Sequence, residues 1–237
     1  AAGPSVEKAA AAGLPIVFLN REPEADVMQG YDKVWYVGAK AEESGTMSGE
    51  IIADYWNANK ETADKNGDGK LQYIMVTGEP GHQDATLRTE YSVKALQNAG
   101  IEVEEIGNDT AMWNKVQATE LMNAFITSQG IETIEAVLCN NDDMALGVIE
   151  SLKANGYNTG DASKFVPVVG VDATAPALEA MANGSLLGTV LNDAENQGIA
   201  TTNIAAMAAA GQEITEENVG YEITDGKYVW IPYVKIT

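Results

Sequence analysis

The chain has 237 residues, 45% of them hydrophobic, enough for one large or two ordinary domains around a sizeable core. Its 35 acidic against 14 basic residues give a formal charge of −21, which repels a phosphate backbone and an anionic membrane surface alike and argues against nucleic acid as a partner. No apolar run reaches the length of a membrane span, no signal-peptide pattern opens the chain, and the lone Cys139 permits no internal disulfide.

A helix-like stretch, Pro4 to Ala12, precedes the first strand-like run, Pro15 to Leu19, and a second strand follows at Val34 to Val37. Helices and strands then alternate. The pattern predicts helices over Glu42 to Trp56, Asp84 to Asn98, Lys115 to Ser128, Asp142 to Asn155, Ala175 to Met181 and Ala194 to Ala210. It predicts strands over Leu71 to Thr77, Ile101 to Ile106, Ala136 to Cys139, Val166 to Val171 and Leu186 to Leu191, and an apolar segment, Tyr228 to Ile236, ends the chain. Gly100, Gly156 and Gly211 fall just past helix ends, where a left-handed residue closes the last turn. This rhythm predicts an α/β protein with doubly wound parallel sheets and helices on both faces.

In such sheets ligands bind just outside the carboxyl ends of the strands. Asn20, the segment Gly78 to Asp84 with His82, the run Asn140-Asn141-Asp142, Asp172 and the pair Asn192-Asp193 all stand there. Arg88 lies one helical turn beyond Asp84, and Trp113 lies in the connection after the strand expected to end at Ile106. Amides, carboxylates, one guanidinium and an aromatic plate suit a neutral polyhydroxylated ligand, whose hydroxyls need donors and acceptors and whose apolar ring face stacks on indole. Each residue has a plainer reading as well. Asn and Asp at strand ends also cap helices, Asp84 and Arg88 make an intrahelical ion pair, His82 is a loop hydrogen-bonder and Trp113 a core residue.

The loop Asp64-Lys-Asn-Gly-Asp-Gly-Lys-Leu-Gln72 places oxygen donors at Asp64, Asn66, Asp68 and Gln72, with Gly69 at the sharp turn, in the spacing of a calcium loop. The position where an EF-hand has its bidentate Glu holds Met75, inside a strand. Glu135, directly before the neighbouring strand, is the candidate for the closing carboxylate. Both sit at strand starts, so the ion would be structural and remote from the ligand edge.

The motifs Gly-Glu-Pro-Gly-His82-x-Asp84-x-x-x-Arg88, Asp109-Thr-Ala-Met-Trp113, Asn140-Asn141-Asp142, Gly170-Val-Asp172 and Thr189-Val-Leu-Asn192-Asp193, together with the calcium loop and Glu135, resemble the bacterial periplasmic D-galactose/D-glucose-binding proteins of the type I sugar-binding family. The resemblance runs along essentially the whole chain. It implies two doubly wound lobes joined by three crossovers, closing over one hexose and delivering it to the membrane subunits of an ABC transporter or to a chemoreceptor, from a periplasmic or lipid-anchored extracellular position. It assigns Asn20, His82, Asp84, Arg88, Asn141, Asp172 and Asn192 to the sugar's hydroxyls and ring oxygen, Trp113 to one ring face, and Asp64, Asn66, Asp68, the Lys70 carbonyl, Gln72 and Glu135 to calcium. The division it implies is residues 1–40 and 193–228 in the N-terminal lobe, 41–192 and 229–237 in the C-terminal lobe. The family's opening strands, with a further carboxylate and a second stacking aromatic, have no counterpart before Ala1, so the first lobe is expected to be incomplete. The segment Lys153 to Phe165 is longer than the family pattern.

Two other classes compete. A glycosidase could use paired carboxylates such as Asp84 and Asp172, but amides and an Arg beside Asp84 are expected to keep them ionised, leaving no acid of raised pKa. A sugar-responsive transcription regulator shares the fold behind a DNA-binding headpiece, against which the net charge and the calcium loop argue.

Overall fold

The computed structural model describes residues 2–237. In chain order it contains α1 (Gly3–Ala12), β1 (Ile16–Leu19), α2 (Ala25–Gln29), β2 (Val34–Gly38), α3 (Ala41–Ala58), α4 (Lys60–Ala63) and β3 (Lys70–Thr77). Next come α5 (Gln83–Asn98), β4 (Glu102–Thr110), α6 (Lys115–Gln129), β5 (Ala136–Cys139), α7 (Asp142–Ala154) and β6 (Val168–Val169). The last are α8 (Ala175–Ala182), β7 (Thr189–Leu191), α9 (Ala194–Ala209), α10 (Glu216–Val219), β8 (Tyr228–Trp230) and β9 (Val234–Ile236). Residues up to Lys40 with Asp193–Pro232 form one compact unit and Ala41–Asn192 with Tyr233–Thr237 the other, so the backbone passes between them three times. The last passage falls after Pro232 and not after residue 228, because Val229 and Trp230 extend β8 alongside Val37 and Gly38 of β2.

In the first unit the parallel order is β1-β2-β8, with Ile16 beside Val34 and Tyr36 beside Tyr228. Side chains alternate between the two faces of this sheet. Val34 and Tyr36 pack with Val6 of α1 and Met28 of α2, while Val37 and Val229 pack with Ala200 and Ile204 of α9 and Val219 of α10.

The second unit has the parallel order β4-β3-β5-β6. Its central strands are buried on both faces and read as unbroken apolar runs, from Ile74 to Val76 and from Ala136 to Cys139. β4 runs four residues beyond Ile106, to Thr110, because the register shifts between Tyr73 and Ile74, which face Glu105 and Gly107. Ile106 is the extra residue of that bulge, and beyond it the ladder resumes. β7 pairs with β9 antiparallel, Val190 opposite Lys235, a departure from the parallel expectation. β9 belongs to the closing segment and not to a strand-helix-strand repeat, so no crossover fixes its direction.

α3 and α5 pack unusually close. A side-chain carbon at Gly45 would lie 2.8 Å from the Arg88 carbonyl oxygen, and one at Gly49 would lie 2.2 Å from that of Ser92. The small residues Ser44, Gly45, Ser48 and Gly49 of α3 thus bring its backbone onto the helix that carries Arg88. Among the described residues no helix is long and apolar enough to cross a membrane.

Candidate functional site

β3 ends at Thr77, and the loop after it leads into α5. His82 caps that helix: its Nδ1 accepts the Asp84 N–H at 3.2 Å, which leaves Nε2 as the ring's donor. Asp84 stands in the first turn, where the helix dipole favours a carboxylate, and receives Arg88 Nη2 at 3.1 Å from one turn later.

Arg88 is only 5% exposed, so its cation needs compensation within the protein. Its Nε donates to Ser44 Oγ at 3.2 Å, Nη1 to the Asn140 carbonyl at 2.9 Å, and Nη2 to the Tyr233 hydroxyl at 3.0 Å as well as to Asp84. Burial works to lower its pKa, but Tyr233, Asp84 and Asp172 outweigh that and hold it above the ordinary value. The guanidinium is a fixed charge. Asn140, buried itself, accepts the Gly78 N–H at 3.0 Å, which ties the ends of β3 and β5 together.

Trp113 follows β4 with Met112, both in the left-handed region at φ 63 and 52. The indole lies flat on Gly78, where an added methyl would come within 2.2 Å of it. The His82 ring meets it edge-on at 5.2 Å and the Arg88 guanidinium lies 5.9 Å from its centre. Trp113 also packs on the second unit's core, so its two readings are compatible: one face of a half-buried ring serves the core.

Asn141 caps α7, its Oδ1 accepting the Met144 N–H at 3.0 Å, so its amide nitrogen is what it can offer elsewhere. Asp142 is fully buried on Thr189 Oγ1 at 2.6 Å and on the Thr174 N–H at 2.7 Å, a structural role. Asp172 follows β6 at φ 124, a backbone strained for any residue but glycine, and accepts from Asn192 Nδ2 at 3.4 Å. Burial pushes its pKa up to about 6 even though the Arg88 cation opposes the shift. This corrects the expectation that neither carboxylate has a raised pKa: desolvation of Asp172 outweighs the guanidinium, although a group titrating near 6 is still mostly ionised at neutral pH.

The second unit therefore brings together His82, Asp84, Arg88 and Trp113, with Asp172 and Asn192 coupled to Arg88 by charge and hydrogen bond. Asn20 belongs to the first unit, where its left-handed backbone, φ 65, follows β1 and its carbonyl accepts the Tyr36 hydroxyl at 2.9 Å. Ser44, Asn140 and Tyr233 are the partners of Arg88 that reading the chain does not single out for this role. The Ser-Gly repeat of α3 is the only signal for Ser44, and nothing in the closing segment marks Tyr233.

The opposite edge of the same sheet carries the loop before β3. Asp64 accepts the N–H groups of Gly67 and Gly69 at 2.8 and 2.9 Å, and Asp68 that of Lys70 at 2.8 Å. Glu135, 1% exposed, accepts from the Lys65 N–H at 2.6 Å and the Gln72 N–H at 3.0 Å, and burial raises its pKa against those bonds. Among the described residues no three His, Cys, Asp or Glu side chains converge as a metal-holding group. The donor set here also includes amide and carbonyl oxygens, and Gln72 Oε1 is buried without any hydrogen-bond partner. As it stands the Gln72 nitrogen meets Asp68 Oδ2 at 2.9 Å; turning the amide over would bring its orphaned oxygen to the loop, a donor set that fits a calcium ion, and each Glu135 oxygen keeps a lone pair beyond its N–H bond.

A doubly wound α/β chain with a fixed guanidinium–carboxylate set beside an indole at its strand ends has the make-up of a solute-binding protein. The chain belongs to the periplasmic binding protein family, whose domain model, described as a periplasmic binding protein domain, matches residues 1–213. It is 40% identical, over all of its length and 69% of the relative's, to the D-galactose/methyl-galactoside binding periplasmic protein of Haemophilus influenzae. Among solved structures it is similar to an ABC transporter solute binding protein from Bacillus halodurans with bound myo-inositol: 30% identity, TM-score 0.79, covering 100% of this chain and 70% of that one. A periplasmic solute binding protein from Actinobacillus succinogenes with bound D-allose shares the fold at TM-score 0.78 and 21% identity, over 98% of this chain and 73% of that one.

Proposed function

We propose that the chain captures a neutral hexose, D-galactose or D-glucose, on the periplasmic side of a membrane and presents it to the membrane subunits of an ABC importer, with a chemoreceptor as a further partner of the loaded form. The observation that carries the reading is the buried Arg88 beside Asp84, Asp172 and the Trp113 plate: charge-assisted donors and acceptors for a hydroxylated rim next to a surface for an apolar ring face. The 40% identity to a galactoside-binding relative supports the same class of ligand. His82, Asp84, Arg88, Asn141, Asp172 and Asn192 are the proposed hydrogen-bonding residues of the second unit, and Asn20 is assigned from the first through the resemblance alone. The protein's work is binding without turnover, so aryl glycosides should survive incubation with it. A calcium ion on Asp64, Asn66, Asp68, the Lys70 carbonyl, Gln72 and Glu135 would supply stability and no chemistry.

Titration calorimetry of the full-length protein against galactose, glucose, methyl-galactoside, ribose and myo-inositol tests the assignment. Tight one-to-one binding of galactose or glucose is the expected result. Tighter binding of the pentose or of the inositol, or binding of none, would overturn it.

A further inference from the structure

We propose that Tyr233 is a positioning residue: it fixes the fork of Arg88 so that one N–H faces the ligand, and it does so from the segment where the backbone last enters the second unit. This rests on the sugar-binding reading of that unit and deepens it.

A guanidinium has five N–H donors. In Arg88 the Nε donor is taken by Ser44, one Nη1 donor by the Asn140 carbonyl, and both Nη2 donors by Asp84 and Tyr233. The second Nη1 N–H remains for a ligand. Ser44 and Asn140 hold Nε and Nη1, but at Nη2 Asp84 alone leaves one N–H unsatisfied and sets direction loosely, because a carboxylate accepts over a wide arc. The Tyr233 hydroxyl, itself buried, supplies the second fixed point on that nitrogen. Ser44, the partner of Nε, donates its own hydroxyl to the Ala41 carbonyl at 2.8 Å.

These partners share a place in the chain. Ala41 is the first residue of the second unit after the first passage, Asn192 the last before the second passage, and Tyr233 the first after the third. Asn192 binds Asp172, which faces Arg88 electrostatically. Two of the three passages therefore end, within the second unit, on a residue that touches this charged pair: Tyr233 on Arg88 and Asn192 on Asp172. A rearrangement of those passages would be felt at Arg88, and a ligand holding Arg88 would be felt at the passages.

The plainer account makes Tyr233 a buried hydroxyl that happens to be satisfied by Arg88, in which case its loss would lower stability and leave recognition alone. Tyr233→Phe in the full-length protein separates the two. It removes one oxygen and keeps the ring, and the Kd for galactose, measured by calorimetry well below the melting temperature, should rise about tenfold, the effect of one hydrogen bond to a charged group. In an Arg88→Lys background the same substitution should change the Kd less than twofold, since the fork it aims is gone. The Arg88 side-chain N–H resonance reports independently and without any variant of Arg88: in Tyr233→Phe it should move in the free protein and respond less to galactose. An unchanged Kd, an equal loss in both backgrounds, or an unmoved resonance would each overturn the inference. A parent protein that binds no hexose would instead sink the proposed function, so the two failures are distinct.

Discussion

Replacing Trp113 by alanine removes the plate on which a pyranose face would lie. One side of the indole already rests on Gly78, so only the other side can meet a ligand, and the loss is that of a single buried ring face. A pyranose face covers about 80 Å², and at roughly 25 cal/mol per Å² its return to water costs about 2 kcal/mol, or some thirtyfold in Kd. Galactose and glucose should weaken together, because they share that face and differ at one hydroxyl. Gly78→Ala attacks the same plate from beneath: its methyl would stand 2.2 Å from the indole, so the ring must lift although no group near the ligand is deleted. Calorimetry with both sugars, alongside the change in tryptophan fluorescence on binding, measures the effect. A Trp113→Ala protein that binds both hexoses as tightly as the parent would refute the reasoning and leave Trp113 as a core residue alone.

Asp172 should make affinity depend on pH. Its folded pKa of about 6 lies above that of an ordinary carboxylate, so the folded protein takes up its proton before the unfolded chain does as pH falls. For stability, the penalty of an ionised Asp172 is present above that value and disappears on acidification towards the unfolded carboxylate's range. For binding the sign is reversed: a sugar hydroxyl donating to the ionised form loses affinity below pH 6, by up to about tenfold per pH unit, and Asp172→Asn should flatten that slope. An identical slope in the variant would show that another group titrates. At the opposite edge, chelator should lower the melting temperature of the parent much more than that of Glu135→Gln, because only an ion bound by the folded state stabilises it. Equal shifts in the two proteins would remove calcium from the account.

Much of this fold is legible because the long helices carry an apolar stripe over many turns and the central strands are apolar throughout. α5, α6, α7 and α9 begin and end within a residue or two of where the pattern puts them. α2, α4 and α10 span four or five residues, about one turn, too few for periodicity to show. β4 is missed beyond Ile106 because its residues from Gly107 to Thr110 are polar or lack a side chain, and backbone pairing with β3, not composition, keeps them extended. Candidate site residues stand out where polar side chains follow the end of an apolar strand, as at Asn141, Asp172 and Asn192. Ser44 and Tyr233 do not, since what they do is set by helix packing and by where the closing segment lands.

The two edges of the second unit's sheet are linked by the strands that connect them. β3 and β5 stand in register from Tyr73 opposite Ala136 to Val76 opposite Cys139. At their starts the Gln72 N–H meets Glu135 at 3.0 Å, and at their ends the Gly78 N–H meets the Asn140 side chain, also at 3.0 Å. A slip of this pair by one residue would turn every side chain to the other face of the sheet, moving Gly78 from beneath Trp113 and the Asn140 carbonyl from Arg88. A cation held between the loop and Glu135 would therefore do more than tie down a surface turn. It would fix the register at one end of the strand pair on whose other end the indole and the guanidinium depend, so the loop can matter to recognition without lying near the ligand.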